Sequence, residues 1–403
     1  MAQANALLEE DKAPFQRIAA PCPYVGTCGG CTLQDLSYDD QLALKRRRLA
    51  RLFSQIGVSR PIHVHGLEPP WRYRNKAELS FGADQARLTL GFHAARSFWK
   101  VVDLDDCLLL PEPISRVLQD VRAALRATGL PPYFPRRHDG LFRFLLVRSS
   151  HADETIMLCL MTTPWDHAAV VALADQLMAK HPNLVSIYWG VTSRLADVSE
   201  PEELTLVRGR AYLEDRLGPF ELQLHPLTFL QPTPAQAQRL YARVAEWAAG
   251  AASGNAWDVY CGIGIVGFHL AGKYARVYGV DSEARNIELG RLNAERNGLR
   301  NVTFHQGRAE DVLADKRFWL LEAKPDLVVV DPPRTGLHPS VIATLLGARP
   351  KQIMYISCNA EAMVRDLRLL ADGFPSYHLR QVEAFDLFPH TAHVEVLALL
   401  DRA

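Results

Sequence analysis

Residues 258–267 read Asp-Val-Tyr-Cys-Gly-Ile-Gly-Ile-Val-Gly, following the short apolar run Ala256-Trp257. Glycines at 262, 264 and 267 let the backbone turn sharply between a strand and a helix and approach a ligand closely. Asp281 closes the next apolar run about 20 residues further on, where a carboxylate can accept hydrogen bonds from ribose hydroxyls. Taken alone, the loop fits a dinucleotide, S-adenosylmethionine, or no more than a tight turn.

Working outward, the chain after about Gln223 alternates strand and helix. Strands are expected at Trp257 to Tyr260, Val277 to Asp281, Val302 to His305, Leu327 to Val330, Ile353 to Ser357, Gln381 to Phe385 and Val394 to Leu400. The last two lack a long intervening helix, which predicts an antiparallel terminal hairpin. The whole predicts a doubly wound α/β sheet of seven strands over 223–403. Upstream, 61–222 carries short alternating strands and two helical stretches, near Ile114 to Thr128 and His167 to Lys180, and reads as a smaller α+β domain. Residues 1–60 read as a loose tail, a Cys/Gly knot from Cys22 to Cys31, and a helix from about Asp39 to Gln55 bearing Lys45-Arg46-Arg47-Arg48 and Arg51. Such a charge run is either a solvated face or an RNA contact.

Lysine plus arginine balances aspartate plus glutamate at 45 each, so a nucleic-acid surface has to come from local clustering. The first residues lack an apolar core of signal-peptide length, and nowhere do about 18 uncharged apolar residues run together. No membrane association and a cytoplasmic setting are expected. Seven cysteines, unevenly spread, fit reduced thiols better than a disulfide framework.

Two further segments carry chemistry. Asp331-Pro-Pro-Arg-Thr-Gly336 ends the fourth strand of the sheet, and Ile353-Met-Tyr-Ile-Ser-Cys-Asn359 places Cys358 where a buried strand should emerge at its ligand-binding edge. Near the end stands Phe385-Asp-Leu-Phe-Pro-His-Thr-Ala-His-Val-Glu395. A carboxylate between Val394 and Val396 is costly if buried without purpose.

In this order and spacing, the three segments resemble the paired signatures of the RNA uridine-C5 methyltransferase family, over roughly residues 20–403. The resemblance implies a class I methyltransferase, Rossmann-like fold, with S-adenosylmethionine as methyl donor. It implies Cys358 as covalent nucleophile and Glu395 as base, with Gln231 in Phe229-Leu-Gln-Pro-Thr233, Tyr260, Gly262, Gly264, Asp281 and Asp331 around the donor. Thr233 stands where relatives usually have Asn, and Ala360 and Ala362 stand where Pro and Thr are frequent, which puts local loop geometry in doubt. The residue types suit the chemistry. Carbon 5 of uracil is too weakly nucleophilic to be methylated unaided, whereas thiolate addition at carbon 6 makes an enolate that can attack a sulfonium methyl. A base must then remove the carbon 5 proton.

Cys22-x5-Cys28-x2-Cys31 with the distant Cys107 offers four thiolates, suited to tetrahedral zinc or a [4Fe–4S] cluster. The segment resembles the iron–sulfur branch of the same family, which implies the cluster, in a structural role, and leans the target towards ribosomal RNA rather than a transfer RNA uridine. Trp71-Arg72-Tyr73-Arg74-Asn75-Lys76 and Tyr133-Phe134-Pro135-Arg136-Arg137 interleave cations with aromatics, as an RNA surface does. No obligate protein partner is evident. Two other classes remain: a nicotinamide-dependent oxidoreductase, which leaves Cys358, Glu395 and Asp331 without a role, and a non-catalytic iron–sulfur RNA-binding protein, against which the intact Cys358 and Glu395 argue.

Overall fold

The computed structural model describes residues 11–403 apart from 86, 98, 197, 318 and 320–322. Residues 1–10 of the expected tail lie outside that description. In chain order the strands are β1 (His63–His65), β2 (Lys76–Asp84), β3 (Arg87–Gly91), β4 (Phe142–Ser149), β5 (Ile156–Thr162), β6 (Leu184–Val191), β7 (Glu203–Gly209), β8 (Leu213–Leu217) and β9 (Phe220–Leu224). They continue as β10 (Ala251–Val259), β11 (Tyr274–Asp281), β12 (Val302–Gln306), β13 (Pro325–Val330), β14 (Gln352–Ser357), β15 (Tyr377–Phe385) and β16 (Glu395–Arg402).

The catalytic sheet runs β1-β15-β16-β14-β13-β10-β11-β12. β10 to β14 are parallel neighbours, while β16 is antiparallel to both β14 and β15. The expected terminal hairpin is therefore present, and the sheet is that of a class I methyltransferase with an added edge strand. That strand, β1, pairs parallel with β15 and is absent from the sequence expectation.

Period-two alternation on the central strands explains why they are buried on both faces. Trp257, Val259, Val328, Val330, Ile353 and Tyr355 enter one core, beside Leu42, Leu49 and Phe53 of the helix Tyr38–Phe53. Ala256, Leu327, Val329, Met354 and Ile356 enter the other. That second core also takes Phe144, Leu146, Met157, Cys159 and Met161 from one face of the sheet β3-β2-β4-β5-β6-β7. The opposite face, with Leu145, Val147 and Leu158, is covered by the helices Glu112–Ala127 and His167–Lys180. The upstream α+β sheet and the catalytic sheet thus share a core.

The helix Tyr38–Phe53 departs from its reading as a basic surface. Lys45 falls on the same helical face as Leu42 and Leu49, 1 % exposed, with Nζ 2.6 Å from Asp386 Oδ1. Arg46 and Arg47 remain outside. Asp386 also accepts from Tyr38 Oη at 3.0 Å and from the Phe388 amide at 3.2 Å. Removing one member of a buried ion pair strands the other charge. Lys45→Met should therefore lower the free energy of unfolding by about 3–5 kcal/mol in urea titrations, and a loss below about 1 kcal/mol, the scale of surface pairs, would contradict this account of how the helix is docked.

Candidate active site

The parallel strands deliver their chemistry at their carboxyl ends. β10 runs into Tyr260, whose φ of 68° is unusual for a residue with a side chain, and then into the glycine loop. The amides of Tyr260 and Cys261 donate to the Val280 carbonyl, and the Gly262 amide donates to Asp281 Oδ2 at 2.9 Å. Asp281 Oδ1 accepts from the Glu283 amide and from Asn286 Nδ2. Gly264 has φ 86°, and a Cβ there would lie 2.6 Å from the Phe304 ring, whereas a Cβ at Gly262 would meet nothing within 4 Å. One glycine is needed for packing, and the other leaves the loop open towards the space beyond the strand ends. A half-buried carboxylate beside an open glycine loop suits a ribose-bearing ligand, so the residues present fit S-adenosylmethionine. Gln231 is buried on the connection into the helix Pro234–Trp247. Thr233, the departure from the family pattern, donates from Oγ1 to the Leu387 carbonyl at 2.5 Å.

Asp331 follows β13, Cys358 follows β14, and Glu395 opens β16. Because β16 runs antiparallel, its first residue lies at the same sheet edge as the last residues of its neighbours, in the register Ser357↔Val396 and Phe385↔Glu395. Cys358 is half-buried and Glu395 is 2 % exposed. The turn that carries the thiol is tied down on both sides. The Asn359 amide donates to Ser357 Oγ, its side chain caps the helix Ala360–Ala371, and its Nδ2 donates to the Arg334 carbonyl at 2.8 Å.

The site is electrostatically tense. Desolvation raises Asp331 to about 7, with the Asp258 charge adding to it. Burial drives the Glu395 carboxyl well up, Asp331 adds repulsion, and Arg334 opposes both. The Cys358 thiol is raised by burial and by Glu395, and is drawn back down by Arg334. A cavity of about 280 Å³ opens beside Cys358, walled by Arg334, Asn359, His393, Arg48 and Leu49. Arg334 is thus a site residue with no role expected from sequence, although its place three residues beyond Asp331 was a usable signal. Cys159 is fully buried, and Cys261 sits in the glycine loop away from this cavity.

The four N-terminal and central cysteines form a separate locus. All are free and half-buried. Burial is the main cause that raises Cys31 to about 12, with smaller contributions from Cys107, Cys28 and Cys22. Cys28 and Cys107 are raised by burial too, and each feels another thiol of the set. The donor set is chemically that of a four-thiolate centre, although among the described residues no group of three or more His, Cys, Asp or Glu converges on one ion. The segment is stitched to the loop ahead of Glu395, since the Thr32 and Leu33 amides both donate to the His390 carbonyl. His390 is itself buried, stacked on Trp71 at 3.8 Å, and lowered to about 4 by burial.

The first expected RNA-contacting stretch is half-buried, with Asn75 fully so. Arg72 pairs with Asp106 and donates to the Cys107 and Leu110 carbonyls, and Tyr73 Oη donates to the Pro389 carbonyl. The second stretch is outward. Arg136 lies 4.1 Å over Trp99, which is 61 % exposed, and Arg137 lies 4.3 Å over Phe134.

Comparison with known proteins gives a consistent result. The model of the tRNA (uracil-5-)-methyltransferase family matches residues 37–403. An uncharacterized RNA methyltransferase of Halalkalibacterium halodurans is 33 % identical over 394 residues, covering 97 % of this chain and 85 % of that protein. Another, from Listeria monocytogenes, is 34 % identical over 391 residues, covering 95 % of this chain and 84 % of that protein. The crystal structure of a Pyrococcus abyssi tRNA (uracil-54, C5)-methyltransferase in complex with S-adenosyl-L-homocysteine aligns with TM-score 0.75 and 29 % identity, over 93 % of this chain and 86 % of that one.

The placement of Arg334 predicts a chemical behaviour. Iodoacetamide should modify Cys358 faster as pH rises, with the profile centred above the ordinary thiol range. Arg334→Met should shift that profile further up and slow modification at pH 8 by about three- to tenfold. An unshifted profile by intact-mass kinetics would show that the guanidinium does not act on the thiol.

Proposed function

The chain belongs to the tRNA (uracil-5-)-methyltransferase family and is an S-adenosylmethionine-dependent RNA uracil-C5 methyltransferase; from that premise we propose that Cys358 and Glu395 perform consecutive covalent and proton-transfer steps on a flipped uridine. The observation that carries this reading is the antiparallel register that sets a buried carboxylate behind a half-buried thiol at the mouth of a cavity.

A stacked, paired base cannot reach such a cavity, so the target uridine enters unpaired or flipped. Arg334 stabilises the Cys358 thiolate, which adds to carbon 6 and leaves an enolate across carbons 5 and 4. S-adenosylmethionine would be held by Gln231, Tyr260, Gly262, Gly264, Asp281 and Asp331, and would supply the methyl that carbon 5 accepts, leaving as S-adenosylhomocysteine. Glu395 then removes the carbon 5 proton, the electron pair re-forms the 5,6 double bond, and the Cys358 thiolate leaves. Burial keeps Glu395 a strong base for this step. Cys22, Cys28, Cys31 and Cys107 would hold a [4Fe–4S] cluster, which would anchor the N-terminal segment to the loop ahead of Glu395.

The target proposed is a ribosomal RNA uridine, supported by the resemblance of the cysteine segment to the iron–sulfur branch. The Pyrococcus abyssi structure, a transfer RNA enzyme by its description, favours a transfer RNA uridine as the second reading. Mass mapping of 5-methyluridine in both RNA classes from cells lacking the gene decides between them, because the site that disappears is the target.

Cys358→Ala should lose methyl transfer by at least about 10³-fold while retaining RNA binding. Glu395→Gln should complete the transfer yet fail to release, leaving protein and RNA joined on a denaturing gel. Methylation persisting in Cys358→Ala contradicts the mechanism. Anaerobically purified protein should be brown with about four irons per chain, and Cys107→Ser should lose colour and melting temperature together. Stoichiometric zinc without iron contradicts the cluster.

A further inference from the structure

Trp99 stands in solvent on a firmly built loop. It lies on the connection from His93 to Val101, where the Ala94 amide donates to the Lys100 carbonyl at 2.7 Å and the Lys100 amide donates to Ser97 Oγ at 3.1 Å. A lone exposed apolar ring needs no explanation, but this one has company. The Arg136 guanidinium lies over it from a neighbouring turn, which the Phe134 amide closes by donating to the Asp139 carbonyl at 2.7 Å. The Tyr133 amide, donating to the Phe142 carbonyl at 2.8 Å, roots that turn in the α+β sheet.

The cations on these two loops are largely unneutralised. Arg96, Lys100 and Arg136 are exposed, and their side chains make no hydrogen bond or ion pair among the described residues. Arg137 alone meets a carboxylate, that of Asp139 at 3.2 Å, while lying over Phe134. In a chain whose formal net charge is zero, such a cluster is a local feature fit for an anionic partner. Its place is fixed relative to the catalytic edge. The Ala95 amide donates to the Thr27 carbonyl and the Gly29 amide donates to the His93 carbonyl, while Thr32 and Leu33 of the same segment hold His390. The six steps from Thr27 to Leu33 span at most about 22 Å, a distance that a short strand of RNA covers.

We propose that the Trp99 loop and the Phe134–Asp139 turn form a docking platform for an unpaired stretch of the substrate RNA flanking the target uridine. One base stacks on Trp99, and the neighbouring phosphates meet Arg96, Lys100 and Arg136. This rests on the RNA reading above but concerns residues outside the catalytic cavity. Arg136 takes one face of the indole, and an exposure of 61 % leaves the ring open to a second flat partner. Free cations beside an open aromatic ring suit a polyanion that carries flat rings. A duplex keeps its bases stacked inside, so the occupant is single-stranded.

The test is an equilibrium titration of the full-length protein, by fluorescence anisotropy, with a labelled unstructured RNA of roughly 12 nucleotides and with an RNA duplex of the same length. Trp99→Ala should weaken binding of the single strand by about tenfold and of the duplex by less than about twofold, with an unchanged melting temperature because the side chain is exposed. Trp99→Phe, which keeps a ring, should recover most of the affinity. Lys100→Met and Arg96→Met should each flatten the slope of log affinity against log salt by about 0.7, whereas the Trp99 variants leave that slope as it is. A Trp99→Ala affinity within about twofold of the parent's, or the same loss on the duplex, overturns the platform. Salt slopes unchanged in both cation variants overturn the phosphate contacts. The titration reads no catalysis, so a parent protein that binds RNA but methylates no uridine would count against the proposed function rather than against this surface.

Discussion

A carboxylate at the start of an antiparallel strand can stand beside a thiol at the end of a parallel strand only if the loop between β15 and β16 is held at the sheet edge. That requirement organises much of the molecule. Residues 386–394 form the loop, and separate parts of the chain bond to it. Lys45 and Tyr38 hold Asp386, Thr233 holds Leu387, Tyr73 holds Pro389, and the cysteine segment and Gln41 hold His390. Trp71 stacks on His390 from a further side. The N-terminal segment, the basic helix and the α+β sheet are therefore all framework for the position of Glu395.

The same arrangement sets the charge balance of the site. Asp258, Asp331 and Glu395 crowd the buried edge of the sheet, and burial raises Asp258 and Asp331 each to about 7. A carboxyl whose folded value lies above its unfolded value favours the fold below the unfolded range, and that contribution is lost as pH rises from about 4 towards 7. These two carboxyls thus cost stability near neutrality, as strongly perturbed acids at a functional site do. Arg334 acts on the Cys358 thiol, on Glu395 and on His393. Among the described residues it is the one cation that acts on all three.

Much of this was legible in the sequence. The glycine loop, the strand ends at Asp281, Asp331 and Ser357 and the terminal hairpin follow from long apolar runs whose burial on both faces leaves little freedom. β1 was not legible. Three residues, His-Val-His, carry too little pattern for a period of two to show, and their pairing is decided by β15. Lys45 was misread because a run of four cations hides the helical phase, although its spacing from Leu42 and Leu49 places it on the inner face. The surroundings of the Trp71 to Lys76 stretch were not legible, because composition does not reveal that Arg72 meets Asp106 or that Tyr73 meets a distant carbonyl.

The account stands or falls on which atom of the protein bonds to the RNA. RNA containing 5-fluorouridine, incubated with the unmodified protein and S-adenosylmethionine, should yield a stable adduct, because fluorine cannot leave carbon 5 as a cation when the base acts. After trypsin and nuclease digestion, the peptide spanning Gln352 to Arg365 should carry a methylated 5-fluorouridine on Cys358. An adduct on Cys261 or Cys159, or methylated product released without any adduct, would contradict it.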